Sequence, residues 1–237
     1  MKKIVIFTGA GISEESGIKT FRASDGLWEE FNIARVATPQ GWREDYKLVL
    51  GFYNKLRKKV IDASPNLAHI GLAQLEKNYD VTIITQNIDN FHERAGSTKV
   101  LHLHGEIMKS RSSLYPDLIY NIKGSKLKNG DKCEMGFQLR PHIVWFGEKV
   151  KNIDIANEIV STADIFIIIG TSLNVYPAAG LIDFVPRDIP KYLIDPNDSN
   201  ICEVANLTFI KEKAIDGVAE LSKSLTKDRS GVHRLLN

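Results

Sequence analysis

Hydrophobic positions in this chain gather into five short, nearly unbroken runs, at residues 4–7, 81–85, 100–103, 165–169 and 192–194. They are rich in Ile and Val and lack clear apolar–polar alternation, the pattern of parallel strands buried on both faces. A sixth candidate lies at 207–210. Between the runs the period becomes helical. The clearest helix is 65–78, with Leu67, Ile70, Leu72 and Leu75 as its apolar positions; others are 153–161, 176–184 and 214–225. Strands alternating with helices predict an α/β fold, a doubly wound, Rossmann-like parallel sheet.

Two stretches break this rhythm. Residues 27–64 read as helical through 45–61, and 109–138 are rich in Lys, Ser, Asn and Gly without a strong period. Both lie between core elements, so they predict insertions that build a smaller lobe. The large lobe is then 1–26, 65–108 and 139–227, and 228–237 reads as a frayed polar tail. A length of 237 residues suits one domain carrying such insertions.

Charge and cysteine usage narrow the partners. The 31 basic and 29 acidic residues leave a formal net charge of +2, too small for a general grip on nucleic acid. Cys133 and Cys202 are the only cysteines and are far apart, so no disulfide framework is implied and a reducing cytoplasm fits. The apolar run after Met1-Lys2-Lys3 is too short for a signal peptide. No segment approaches the ~20 apolar residues that cross a bilayer. The expectation is a cytoplasmic protein with neither nucleic-acid nor membrane partner; its oligomeric state is not legible.

Candidate chemistry sits where the runs end. The first passes directly into Thr8-Gly9-Ala10-Gly11-Ile12-Ser13. Such a turn lets backbone amides approach a pyrophosphate at a helix start, although a plain tight turn explains it too. The spacing, GAGIS followed by SGI at 16–18, departs from the GxGxxG fingerprint of dehydrogenases. The second run ends Thr85-Gln86-Asn87-Ile88-Asp89. In open α/β sheets this edge binds ligands, and an amide with a carboxylate there suits a carboxamide and a ribose. Either residue alone also reads as a helix cap. The third run ends His102-Leu103-His104-Gly105-Glu106. His104, at the ligand edge beside a glycine, is a candidate general base; a lone histidine is more often a satisfied polar residue.

Together these segments resemble the sirtuin family, through GAGIS-x-x-SGI-x-x-FR at 9–22, TQNID at 85–89, HGE at 104–106, RPHIVWFGE at 140–148 and GTSL-x-VYPAAG at 170–180. They occur in the family's order along nearly the whole chain, closest to short bacterial sirtuins of the CobB type. The resemblance implies an NAD-consuming protein-lysine deacylase. NAD would lie on Gly9, Ala10, Gly11, Ile12 and Ser13, with Thr20, Phe21, Arg22, Trp28, Gln86, Ile88, Gly170, Thr171 and Ser172 completing its site. Asn87 and Asp89 would hold the nicotinamide carboxamide, and Phe21 would shield the reactive ribose carbon. The acyl oxygen attacks that carbon, and His104 then takes a proton from a ribose hydroxyl. The products are free lysine, nicotinamide and O-acyl-ADP-ribose. The acyl-lysine protein or peptide would add as a strand between 144–148 and 172–175, touching Val144, Phe146, Gly147, Glu148, Leu173 and Val175. Ile143 belongs to the tunnel or simply to the core.

Three departures carry consequences. The family's structural zinc uses four cysteines; here Ser112 stands near the first position and Cys133 where the second pair begins, so no metal site is expected. The small lobe would be held by Leu114, Tyr115, Leu118, Ile119, Tyr120, Ile122 and Phe137, with Asp131 and Glu134 as solvated charges. At the adenosine end Asp195-Pro196-Asn197 replaces the usual Asn-x-Glu, and Asp195 would accept from ribose hydroxyls. Family members that remove succinyl groups carry a Tyr-x-x-Arg pair; here Tyr53 is followed by Leu56, and the arginine comes one residue later. One residue on a helix is ~100° of rotation, so Arg57 should point away from the pocket, as a solvated charge. Acetyl over succinyl is the resulting expectation. The rivals are a mono-ADP-ribosyltransferase or NAD glycohydrolase on the same site, which needs a different acceptor, and a non-catalytic NAD- or acyl-peptide-binding module, which needs no His104.

Overall fold

A computed structural model describes residues 1–19, 31–171, 176, 178–197 and 204–233, with the backbone alone beyond 225. Among the described residues there are nine strands: β1 (Lys3–Thr8), β2 (Asp80–Thr85), β3 (Val100–His102), β4 (Gly105–Ser112), β5 (Ile119–Asn121), β6 (Leu139–Ile143), β7 (Ile165–Ile169), β8 (Lys191–Ile194) and β9 (Leu207–Ile210). The same residues form seven α-helices: α1 (Gly11–Glu14), α2 (Ile33–Val36), α3 (Pro39–Asp62), α4 (Leu67–Leu75), α5 (Phe91–Ala95), α6 (Ile153–Ser161) and α7 (Ala214–His233). A 3₁₀ segment, Ala178–Phe184, stands where a helix from Tyr176 was expected.

The six expected strands form one parallel sheet in the order β3-β2-β1-β7-β8-β9. Numbered along this sheet alone, that is 3-2-1-4-5-6, the doubly wound order whose direction reverses between β1 and β7. The strands lack alternation because both faces are covered. On one face Ile4, Ile6, Ile83, Ile167 and Ile194 pack against Leu72 of α4 and Val218, Leu221 and Leu225 of α7. On the other, Val5, Phe7, Phe166, Ile168 and Leu193 meet Ala156 and Val160 of α6 and Leu181.

Several expectations need correction. In α4 the buried face is Ala68, His69, Leu72 and Leu75. Leu67 is exposed and Ile70 sits at the surface, because Asn66 caps the helix and sets its phase by accepting from the Ala68 and His69 amides. The second half of α3 matches the expected 45–61, but the helix already begins at Pro39, where Thr38 caps it by accepting from Gly41 N at 3.0 Å. The two halves meet at Asp45, whose backbone is non-helical (φ −151°, ψ 74°) and whose Oδ1 accepts from Leu48 N as a second internal cap. The presumed tail is helical as far as His233.

The small lobe also holds a sheet that periodicity did not show, the antiparallel order β5-β4-β6. Its strands escaped notice because polar residues share their buried positions: Ser110, Arg111, Ser112 and Arg140 are inside beside Ile107, Leu139 and Ile143. Of the seven apolar residues expected to hold the lobe, Leu118, Tyr120 and Ile122 pack around Leu50, Leu127, Cys133 and Leu139. Leu114, Tyr115, Ile119 and Phe137 are instead exposed. Asp131 and Glu134 are engaged, Asp131 accepting from Lys128 N and Glu134 from the Tyr120 hydroxyl.

Candidate active site

Parallel registry aligns the carboxyl ends of the central strands, pairing Thr8 with both Thr85 and Ile169, and Thr85 with His102. The loops that follow these residues therefore open at one edge. There a cavity of about 590 Å³ lies across the point where strand order reverses.

Its floor is the turn after β1. Gly9 N and Gly11 N donate to Ile169 O and Gly170 O at 3.0 and 2.9 Å, and Ile12 N and Ser13 N to carbonyls of the same turn. Among the described residues only Ala10 N–H of these five lacks a carbonyl partner. The glycines thus serve close packing first. A Cβ on Gly11 would lie 2.6 Å from Gly170 Cα, and one on Gly170, whose φ is +60°, would lie 2.5 Å from Ile12 N. Ala10, Gly11 and Ser13 line the cavity; Gly9 does not, and Ile12 belongs wholly to the core.

The loop after β2 forms one wall, and Gln86, Asn87, Ile88 and Asp89 all reach the cavity. Asn87 Nδ2 donates to Gly9 O (3.0 Å) and Ser13 Oγ (3.2 Å), and Ser13 Oγ donates to Asp89 Oδ2 (3.0 Å). Phe91 N donates to Asp89 Oδ1 at 3.1 Å. Burial raises the Asp89 carboxyl above the usual range, opposed by the Phe91 and Ser13 donors. Gln86 accepts from Thr171 Oγ1 at 3.2 Å, while its buried Nε2 has no partner among the described residues. A buried amide left unsatisfied at a cavity wall is a donor waiting for a ligand acceptor.

His104 lies just beyond β3 and also lines the cavity. Its Nδ1 is 3.0 Å from Gln86 O. A carbonyl only accepts, so Nδ1 carries the proton and Nε2 keeps its lone pair. Burial lowers the pKa of His104, so at neutral pH the ring is an uncharged base. His102 contrasts with it. Its two nitrogens face Asn87 O (2.9 Å) and Glu93 Oε1 (2.8 Å), both acceptors, which calls for the doubly protonated ring. Burial opposes that charge, yet Glu93 and the Asn87 carbonyl outweigh it and raise the pKa.

The cavity is also lined by Tyr53, Leu56, Val60, Ile143 and Trp145, so Ile143 both packs in the core and lines the site. Val144, Phe146, Gly147 and Glu148 also line it. Val144 N donates to His104 O (2.9 Å) and Phe146 N to Ala37 O (3.0 Å), which fixes this segment between the two lobes. The Glu148 carboxylate is fully engaged by Arg140 (2.7 and 3.1 Å), Arg111 (2.9 Å) and Trp145 N (2.9 Å); it braces the loop. Arg57 is not a solvated charge. It is completely buried, donates to Ile107 O, Asn54 Oδ1 and Ser125 O, and does not line the cavity.

At the opposite end Gly170, Thr171, Asp195, Pro196 and Asn197 line the cavity, with Asp195 Oδ1 accepting from Asn197 N at 2.9 Å. Reading the sequence missed Glu15, Lys213 and Ala214 at this end. Glu15 meets Ile215 N at 2.9 Å across 200 residues, and no local signal foretells that. Thr20, Phe21, Arg22, Trp28, Ser172, Leu173, Val175 and Cys202 lie outside the described residues. Near the position of the family's metal, Cys133 Sγ donates to Ser112 Oγ at 3.4 Å. Among the described residues no group of three or more His, Cys, Asp or Glu is disposed to hold a metal ion, so the donors present do not fit a zinc site.

Residues 9–177 match the Sir2 family. A protein of Bacteroides thetaiotaomicron named NAD-dependent protein deacylase is 50% identical over 230 residues, spanning 95% of this chain and 98% of that protein. A mutant Sir2 homologue solved with ADP-ribose superposes with a TM-score of 0.88 at 37% identity, covering 97% of this chain and 94% of that one. A Sir2 homologue solved with NAD gives 0.87 at 37% identity, covering 96% and 90%. With motifs, topology and site in agreement, the chain belongs to the Sir2 family, the sirtuins.

Proposed function

We propose that this protein is an NAD-dependent protein-lysine deacylase favouring acetyl-lysine, with His104 as general base. The observation that carries the reading is one cavity joining a strand-order switch point, a neutral histidine and an apolar wall of Leu56, Val60, Ile143 and Trp145. The named relative and the NAD and ADP-ribose complexes of similar chains support it. NAD suits the site's donors. Ala10 N–H and the orphaned Gln86 Nε2 offer hydrogen bonds, and Asp195 offers an acceptor for ribose hydroxyls. When bound, NAD supplies an electrophilic ribose carbon and nicotinamide as leaving group.

The chain's own residues do the rest. Asn87 is held by Gly9 and Ser13, and Asp89 by Ser13 and Phe91, so this pair presents a fixed polar wall to a carboxamide. His104 accepts a proton at Nε2 from a ribose hydroxyl while Nδ1 stays anchored on Gln86 O. An extended peptide would pair with backbone groups of the 144–148 segment other than the Val144, Trp145, Phe146 and Glu148 amides, which are engaged within the chain. Activity is independent of zinc in this reading, and the protein works in the cytoplasm. No helix among the described residues is long and apolar enough to cross a membrane.

The test is incubation with an acetyl-lysine peptide and NAD. Nicotinamide, deacetylated peptide and O-acetyl-ADP-ribose are expected in equal amounts by mass spectrometry. Nicotinamide release indifferent to peptide would favour a glycohydrolase, and ADP-ribose on a protein acceptor a transferase; either overturns the reading.

A further inference from the structure

Helix α5 follows directly on the loop that carries Asn87 and Asp89, and three consecutive residues tie it back to that loop. Phe91 N donates to Asp89 Oδ1 at 3.1 Å. His92, fully buried, reaches the Asn87 amide through two hydroxyls. Its Nε2 lies 3.0 Å from Thr8 Oγ1, Thr8 Oγ1 donates to Thr85 Oγ1 at 2.8 Å, and Asn87 N donates to the same Thr85 oxygen at 3.0 Å. Glu93 reaches the Asn87 carbonyl through one ring. Its Oε1 is 2.8 Å from His102 Nε2, and His102 Nδ1 is 2.9 Å from Asn87 O. Thr8, Thr85, His92, Glu93 and His102 do not line the cavity; Asn87 does.

Proton counting fixes the direction of each bond. A hydroxyl has one proton, and that of Thr8 goes to Thr85, so Thr8 accepts from His92 Nε2. Burial holds the His92 pKa well below the usual range, with His69 and His102 adding to the effect, so the ring is neutral and Nδ1 keeps a lone pair. That Nδ1 is buried without a partner among the described residues. An unsatisfied buried acceptor is costly, and the ring bears it while Nε2 stays on Thr8. On the other side Asn87 O can only accept, so His102 Nδ1 donates. The Asn87 backbone is thus held at its amide and at its carbonyl, while its side chain donates to Gly9 O and Ser13 Oγ.

We infer that His92 and His102 are positioning residues for nicotinamide release: they hold the Asn87 backbone from both sides and so aim its side-chain amide. The inference rests on the deacylase reading and adds to it two residues that touch no ligand.

Glutamine places its amide where a histidine has Nε2, and asparagine where it has Nδ1. His92→Gln therefore keeps the donor to Thr8 and His92→Asn loses it, whereas His102→Asn keeps the donor to Asn87 O and His102→Gln loses it. Incorporation of labelled nicotinamide into NAD, with acetyl-lysine peptide present, is expected to fall about tenfold in His92→Asn and His102→Gln, the worth of one buried hydrogen bond, and to stay within about threefold of native in His92→Gln and His102→Asn. The dissociation constant of the peptide stays native in all four. A second readout needs no cofactor. Hydrogen exchange of the Asn87 amide in the free protein, at a temperature where every variant is folded, is expected to quicken about tenfold in His92→Asn and His102→Gln alone. A merely structural role would rank the four by melting temperature and give no such crossed pattern. Losses that follow Tm, equal losses for Asn and Gln at either position, or native behaviour of His92→Asn and His102→Gln overturn the inference. So does fast exchange of the Asn87 amide in the native protein, where no variant is needed. Absence of nicotinamide release from the native protein would instead defeat the deacylase reading, and hydrogen exchange at Asn87 would still decide whether the two histidines hold it.

Discussion

His104 and His102 are two residues apart and differ in charge because their acceptors differ. One carbonyl fixes the first as a neutral base, whereas a carbonyl plus a carboxylate hold the second as a cation. The depressed pKa of His104 sets the acid limb of kcat/KM below pH 6.5, with a plateau through neutrality. His104→Ala should reduce deacylation by at least a hundredfold and leave NAD affinity and Tm near native; titration and melting of the variant check this, and parallel loss of binding would oppose the assignment. Burial lowers His69 to about 4, so the folded state binds fewer protons than the unfolded one. Its contribution is therefore present above pH 6.5 and lost as pH falls toward 4, a change of roughly 3 kcal/mol. His69→Gln keeps a capping-box residue at the third helical position and removes the titration. Its melting temperature should lose less than the native protein's between pH 7 and 5, and equal losses would contradict the sign. The place of Asn87, Asp89 and His104 at the cavity was legible because each lies within a few residues of the end of a buried strand. Glu148's bracing role was not, since its partners Arg111 and Arg140 are buried polar residues that periodicity reads as solvent-facing.

Helix α3 shows what an element adds to its residues. Helical phase alone separated Leu56 from Arg57, and the cavity bears out that separation: Leu56 lines it and Arg57 does not. What phase could not reveal is that the far side of α3 is also buried, against β4 and the 125–127 turn. Arg57 is an anchor there. Arg57→Leu should lower stability by about 2–4 kcal/mol, because it leaves the Ile107 and Ser125 carbonyls without their donor. Its acyl preference should be unchanged in the fraction that remains folded. Leu56→Arg, by contrast, brings a guanidinium to the cavity and should raise desuccinylation about tenfold or more relative to deacetylation. Chemical denaturation and paired acyl-peptide kinetics separate the two outcomes; a specificity change in Arg57→Leu without loss of stability would reverse their roles. The parallel strands were readable as apolar runs. β4, β5 and β6 were not, because a sheet with buried serines and arginines carries no hydrophobic period.

On the scale of the whole molecule, the large sheet places the ligand edge and the small lobe closes over it, so the lobe's integrity is a condition of activity. Where relatives of the family use four cysteines, this chain has Cys133 against Ser112. Other contacts take up the load. Asn54 Nδ2 donates to Leu127 O and its Oδ1 accepts from Leu127 N, each at 2.9 Å, forming a two-way clasp between α3 and the lobe's loop. Tyr46 donates to Asn129 Oδ1 at 2.9 Å, and Leu50, Leu127, Cys133 and Leu139 make a small core beneath. A structural zinc would supply folding energy directly, and its removal would unfold the lobe. We therefore predict well below one zinc per chain in protein purified without chelator, and no change of Tm or activity after dialysis against a strong chelator. Asn54→Ala should do what chelation does not. It breaks both halves of the clasp, leaves the Leu127 amide and carbonyl without that partner, and should lower stability by about 1–3 kcal/mol. Stoichiometric zinc, or melting on chelation with Asn54→Ala as stable as the native protein, would show that a metal and not the clasp holds the lobe.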